Sequence, residues 1–399
     1  MSLHWRMTLA IALIVAMSRG DGVAAAGLQQ SDEAESTVVP DDAQMTSLAK
    51  KLESKSFQER QRAAAEILKA GAKAVPALTE LSKTGSSEVR VRAAELLTQI
   101  REVEFDARVR QLEADRSTDS AKRLPEWDRF SSIAGETPDI IAAYLELLNA
   151  EPRLFSLRMF EAPELPAELE RRASELASQA NDREDVEFPV SSYIGVLLIA
   201  GNDQIRLPRA TSTNLTLVLN DIRLQASVED GVHRELLRRV IGSWMLRPGI
   251  AADRLLQFAV TYSIPEGRQL AERIITARSV RPEMISAVMA LRDLGSPEEN
   301  LPLVEGLLTV DSVLWPTGQQ TVRKQAPAEN IESRYQLQTR DIALAVALHL
   351  RGLSPVATRS TPTLPTASHF GIDTMGFESN DERETAISSY LQKFVKSPE

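Results

Sequence analysis

From Met45 onward, apolar residues recur at spacings of three and four, as they do in helices that bury one stripe. Ser56 followed by Glu59 predicts a capping box. The helix it opens carries Ala63, Ala64, Ile67 and Leu68 on one face and stops at Gly71. Pro76 suits the first turn of a second helix, with Val75, Leu78 and Leu81 inward and Gly85 as its C-cap. Ser87 starts a third, which buries Val89, Ala93, Leu96, Leu97 and Ile100. Two continuously apolar runs, Tyr193 to Ala200 and Ile342 to Leu348, are too short to span a bilayer and read as buried helices.

The first helices repeat at an offset of 30 residues: Leu48 with Leu78, Ser56 with Ser86, Arg60 with Arg90, Arg62 with Arg92, and Ala63-Ala64 with Ala93-Ala94. Stacked antiparallel helix pairs follow from that register. The segment Leu48 to Arg101 resembles HEAT repeats, the armadillo-like α-solenoids, through Pro76-Ala77-Leu78 with Leu81, then Glu88-Val89-Arg90 and Arg92-Ala93-Ala94 with Leu97. The resemblance implies an all-α solenoid of helical hairpins, and a structural role for Arg60, Arg62, Arg90 and Arg92 in tying adjacent repeats together. Further on, Pro265 to Ile275 and Pro297 to Leu308 repeat each other about 33 residues apart. Arg340 to Leu344 looks like the partner helix of the second, displaced by an insertion, 309–337. The runner-up architecture is an irregular helical bundle.

Punctuation divides the chain. Residues 44–106 form the N-terminal repeat pair, and 107–125, rich in polar turn formers, is the expected hinge. A degenerate helical array follows over 126–353. Residues 354–378, rich in Pro, Thr and Ser, form an extended arm. Over 379–399, Ser379 and Glu382 suggest a capping box on a cap helix whose inner face is Ala386, Ile387, Tyr390, Leu391 and Phe394.

Residues 1–26 read as a secretory signal peptide: Arg6, an apolar run Thr8 to Met17, and small residues Ala24 to Ala26 at the cleavage point. An uncleaved anchor or a buried helix is the alternative. Cleavage would remove Arg6, Arg19 and Asp21, a net +1, taking the formal charge from −10 to −11. Residues 27–43 are acidic and aperiodic, a solvated tether. The chain has no cysteine, which excludes disulfides, thiolate metal sites and a cysteine nucleophile, and favours a bacterial periplasmic or extracellular setting.

Candidate chemistry is sparse. Ser47-x-x-Lys50 with Lys83-Thr84-Gly85 matches motifs of penicillin-recognising serine enzymes, but that chemistry needs the second motif on a strand beside the serine. His233, His349 and His369 are not spaced as metal ligands, and His349 is expected as a hydrogen-bonded core residue. Neither catalytic residues nor a cofactor is expected. Lys50 to Leu124 holds 16 basic against 12 acidic residues without interleaved aromatics, so nucleic acid is not expected as a partner, and Arg234, Arg238 and Arg239 read as a solvated face. The insertion 309–337 contains Trp315, Arg323, Lys324 and Tyr335, residue types that dominate interface energetics, so it is the candidate partner-binding loop. These readings converge on an exported non-enzymatic scaffold that binds a protein. A passive structural component of a cell-envelope assembly and a lyase-like or chaperone-like cofactor handler are the alternatives.

Overall fold

The computed structural model describes residues 42–181, 188–248, 252–278, 282–312, 337–354, 375–377 and 379–395. The signal peptide, most of the acidic tether, nearly all of the insertion and the arm lie outside them. Among the described residues the protein is all-helical, with no strand.

Helices α1 (Asp42–Lys51) and α2 (Phe57–Ala70) form one hairpin, and α3 (Val75–Thr84) with α4 (Ser87–Asp115) forms the next. The hairpins stack α1 on α3 and α2 on α4. The sequence register has structural counterparts here: Ser56 and Ser86 are both N-caps, accepting from Glu59 N and Val89 N at 3.4 Å each, and Ala63 and Ala93 are both buried. The box at Ser56 is one-sided. Ser54 stands between the partners: Ser56 N donates to Ser54 Oγ at 3.1 Å, and the Ser54 hydroxyl donates to Glu59. Gly71, at φ 59°, lets the chain turn out of α2 where a side chain would be strained.

The expected hinge over 107–125 is corrected. Helix α4 runs unbroken through Asp115, because Phe105, Val109 and Leu112 keep the helical spacing and are buried. It ends where Arg116 turns left-handed at φ 47° and donates to Leu112 O at 2.8 Å. The division falls inside the helix: residues through Ile100 belong to an N-terminal core and those from Phe105 to the main core. Arg101, buried at that junction, donates to Glu164 at 3.3 Å.

After the single-turn α5 (Thr118–Ala121) come α6 (Trp127–Ala134), α7 (Pro138–Ala150), α8 (Pro152–Met159), α9 (Leu165–Asn181), α10 (Val190–Ala200), α11 (Arg209–Val218), α12 (Ile222–Asp230) and α13 (Arg234–Met245). Every residue of α10 from Ser191 to Ala200 is buried, as its unbroken apolar run requires. Helix α6 packs on α7, α7 on α10, α10 on α13, and α13 returns to α6. That closed ring joins distant parts of the chain, which stacking of successive neighbours alone does not produce.

Neighbour stacking resumes in α14 (Ala252–Tyr262), α15 (Glu266–Thr276), α16 (Pro282–Asp293), α17 (Pro297–Glu305) and α18 (Thr339–Leu350). Helix α15 pairs with α16, α17 pairs with α18, and the two hairpins meet through α16 and α18. The insertion thus leaves and re-enters within one hairpin, its ends tied by Thr339 N to Ser312 O at 3.0 Å and by the two hydroxyls at 2.7 Å. Helix α19 (Asn380–Phe394) buries Ala386, Ile387 and Tyr390 and docks on α17 and α18. Arg351 and Tyr390 both bond Glu305, at 2.5 and 2.6 Å, while Arg383 pairs with buried Asp341 at 2.6 Å. Among the described residues no helix is long and apolar enough to cross a membrane.

Candidate functional site

Two clefts open on the main body and share the side chain of Arg247. The first, about 700 Å³, lies where the start of α6 meets the ends of α10 and α13. Glu126 begins α6 in the left-handed region at φ 64°, a conformation uncommon for a residue with a side chain. The carbonyl before it, on Pro125, accepts the Tyr144 hydroxyl. The turn drives the Glu126 carboxylate inward, where it is 1% exposed. Its Oε1 accepts from Arg158 Nε at 2.6 Å and Asn202 Nδ2 at 2.7 Å, whereas Oε2 has no partner among the described residues. Arg158 reaches on to Gln204 Oε1 at 3.2 Å.

Arg129, one turn further along α6, lies close against Gly201 at the end of α10. A β-carbon there would fall 2.3 Å from Arg129 Nη2. The same nitrogen donates to Ser243 Oγ at 2.9 Å. Arg247 donates to the carbonyls of Ala200 and Ile205, which anchors its guanidinium at the end of the same helix. Neither arginine has a carboxylate within 4.0 Å among the described residues. Burial pushes the Arg129 guanidinium below its ordinary range, against the pull of Glu126 and Asp203 and with added repulsion from Arg247. Burial does the same to Arg247. Both stay cationic, since arginine does not lose its proton in proteins, so the cleft holds two half-buried positive charges whose nearby carboxylates, Glu126 and Asp203, stand beyond ion-pair range.

The second cleft, about 920 Å³, lies between α11, the start of α14 and α15. Arg209, Arg254 and Arg273 line it with Arg247, opposite Asp253 and Glu283. Arg273 donates to the Leu246 carbonyl, and Arg209 and Arg254 are exposed without an ion pair among the described residues. Several arginines elsewhere are ion-paired. Arg171 and Arg172 bind Glu168, Glu151 and Glu175, and Arg268 binds Glu272 and Glu299.

None of the residues singled out from sequence lines these clefts. Trp315, Arg323, Lys324 and Tyr335 lie outside the described residues. Arg60 donates to the carbonyls of Ser54 and Lys55 at 2.9 and 3.2 Å, holding its own entry loop, and Arg92 pairs with Glu88 on its own helix at 2.9 Å. Arg62 and Arg90 are exposed. The contacts of Arg60 and Arg92 therefore stay within one hairpin and do not tie neighbouring repeats. His349 is exposed in the last turn of α18, where the buried run has already ended at Leu348, so it is not a core histidine. His233 pairs with Glu146 at 3.1 Å. Arg238 and Arg239 are not simply solvated, since they donate to the Val228 and Ile133 carbonyls at 3.0 and 3.4 Å.

Ser47 lies on α1, and Lys83-Thr84 closes α3, so the second motif has no strand to carry it. No group of three metal-ligating side chains occurs among the described residues. No known protein family, no curated protein and no solved structure matches the chain.

Proposed function

We propose that the protein is an exported, non-enzymatic scaffold, an α-solenoid of HEAT-like hairpins closed by a cap helix, which holds another protein. The observation that carries this reading is the outer face of α2. Phe57 and Leu68 are 61% and 38% exposed, and eleven residues apart they lie within about 20° of one another around the helix axis. Leu68 thus lies off the inner face expected for it, Ala64 packs in part on the N-terminal core, and Val91 on α4 is 58% exposed. An N-terminal hairpin that keeps large apolar side chains exposed can still stack against something. Covering Phe57 and Leu68 would contribute roughly 1.5–3 kcal/mol each. The exported setting is supported by the N-terminal leader pattern and the absence of cysteine. The insertion 309–337, with Trp315, Arg323, Lys324 and Tyr335, is proposed as a second contact because it carries the residue types that dominate interface energetics.

The test is affinity capture from a crosslinked envelope fraction with wild type, with Phe57→Ser combined with Leu68→Ser, and with Trp315→Ala combined with Arg323→Ala. One defined protein recovered with wild type and lost with the α2 variant supports the reading. Recovery that neither variant reduces contradicts it, and recovery of the chain alone favours a passive structural assembly.

A further inference from the structure

On a chain of net charge −10, five arginines without a carboxylate in ion-pair range among the described residues line two clefts joined at one side chain. They are Arg129, Arg209, Arg247, Arg254 and Arg273. Two of the five are half-buried, where a charge without a close partner is costly. Three are fixed by bonds to protein acceptors: Arg129 to the Ser243 hydroxyl, and Arg247 and Arg273 to main-chain carbonyls. Ordering a guanidinium before a ligand arrives removes an entropic cost of binding.

We infer that the joined clefts receive an acidic segment of a partner polypeptide, its carboxylates meeting the arginines in succession. Three observations select this occupant. The two clefts, about 700 and 920 Å³, meet at Arg247 and so offer successive sites to a length of chain. The guanidinium fork matches a carboxylate in two-point geometry. Glu126, Asp128, Asp203, Asp253 and Glu283 also line the clefts; they oppose a uniformly charged phosphate backbone, whereas a peptide brings N–H donors to meet them, the unpartnered Glu126 Oε2 included. Nor is there an aromatic platform for bases, because Trp127 is 1% exposed.

The inference rests on the protein-binding reading for its choice of ligand class but uses a different surface from the α2 stripe, so either can fail alone. The probe is a fluorescein-labelled peptide of about twelve alternating Glu and Gly residues, titrated into the full chain and read by fluorescence anisotropy. Saturable binding is expected at about 50 mM salt, weakening markedly by about 300 mM as screening shortens the reach of the charges. Arg209→Glu combined with Arg254→Glu should weaken it by at least about tenfold. Both side chains are exposed, so the thermal midpoint should stay at the wild-type value. Absence of saturable binding, or binding indifferent to the double reversal, overturns the inference. So does displacement of the peptide by tripolyphosphate or a single-stranded oligonucleotide at lower concentration than by unlabelled peptide, which would assign the clefts to phosphate.

Discussion

A single glycine decides whether Arg129 can lie where it does. Gly201 has ordinary helical torsions, φ −75° and ψ −9°, so alanine suits its backbone, but the added carbon would collide with the Arg129 guanidinium. That end of the side chain can swing away. Gly201→Ala is therefore expected to move the thermal midpoint by no more than about 2 °C while weakening the Glu-Gly peptide several-fold. Unchanged affinity would place Arg129 outside the binding surface. The arginines of the second cleft had a signal in the sequence: Arg209, Arg247, Arg254 and Arg273 have no Asp or Glu three or four residues away on either side. Arg92, Arg108 and Arg268, by contrast, have Glu88, Glu104 and Glu272 at that spacing and pair with them. What no pattern revealed is that Gly201 lies under Arg129, or that Glu126 adopts a left-handed turn. Both depend on how α6, α10 and α13 close on one another, and such contacts leave no local periodicity.

Elements were legible where caps and apolar spacing agreed. The buried face of α4 over Val89 to Ile100, the fully buried α10 and the inner face of α19 are present as their patterns require. The end of α4 was misread because polar residues over 107–115 masked Phe105, Val109 and Leu112, three positions sufficient to continue a buried stripe. Helix α19 offers a test of docking through Tyr390. Burial, reinforced by its bond to the Glu305 carboxylate, pushes the Tyr390 phenol from 10.0 up to about 12. The fold thus favours the neutral phenol. The stability this confers is complete below pH 10 and is lost as pH rises through 10 toward 12. Tyr390→Phe, which removes the bonds to Glu305 and Arg351, should cost about 1–2 kcal/mol at neutral to mildly alkaline pH. Urea denaturation of wild type and variant at stepped pH should show that difference shrinking above pH 10. A difference independent of pH would mean that Tyr390 does not hold the cap through its hydroxyl.

At the scale of the molecule, two hydrophobic cores share one long helix, with Arg101 and Glu164 bracing the junction. The N-terminal hairpins pack on one another, the C-terminal hairpins pack on one another after α13, and between them the ring of α6, α7, α10 and α13 closes on itself. The ring was not legible in the sequence, because α6 and α13 share no repeated segment and their contact leaves no periodic signature along the chain. The arrangement leaves the α2 stripe at one end and the arginine clefts on the main body, which is how a scaffold would grip a partner at separate points. The most direct test is site-specific photocrosslinking in the native envelope, with p-benzoylphenylalanine placed at Leu68 and, as a control, at exposed Asn220 on the far side of the core division. The account predicts one covalent adduct of defined mass, containing a different protein, from position 68 and none from position 220. Equal adducts from both positions, none from either, or an adduct made only of a second copy of this chain would contradict it.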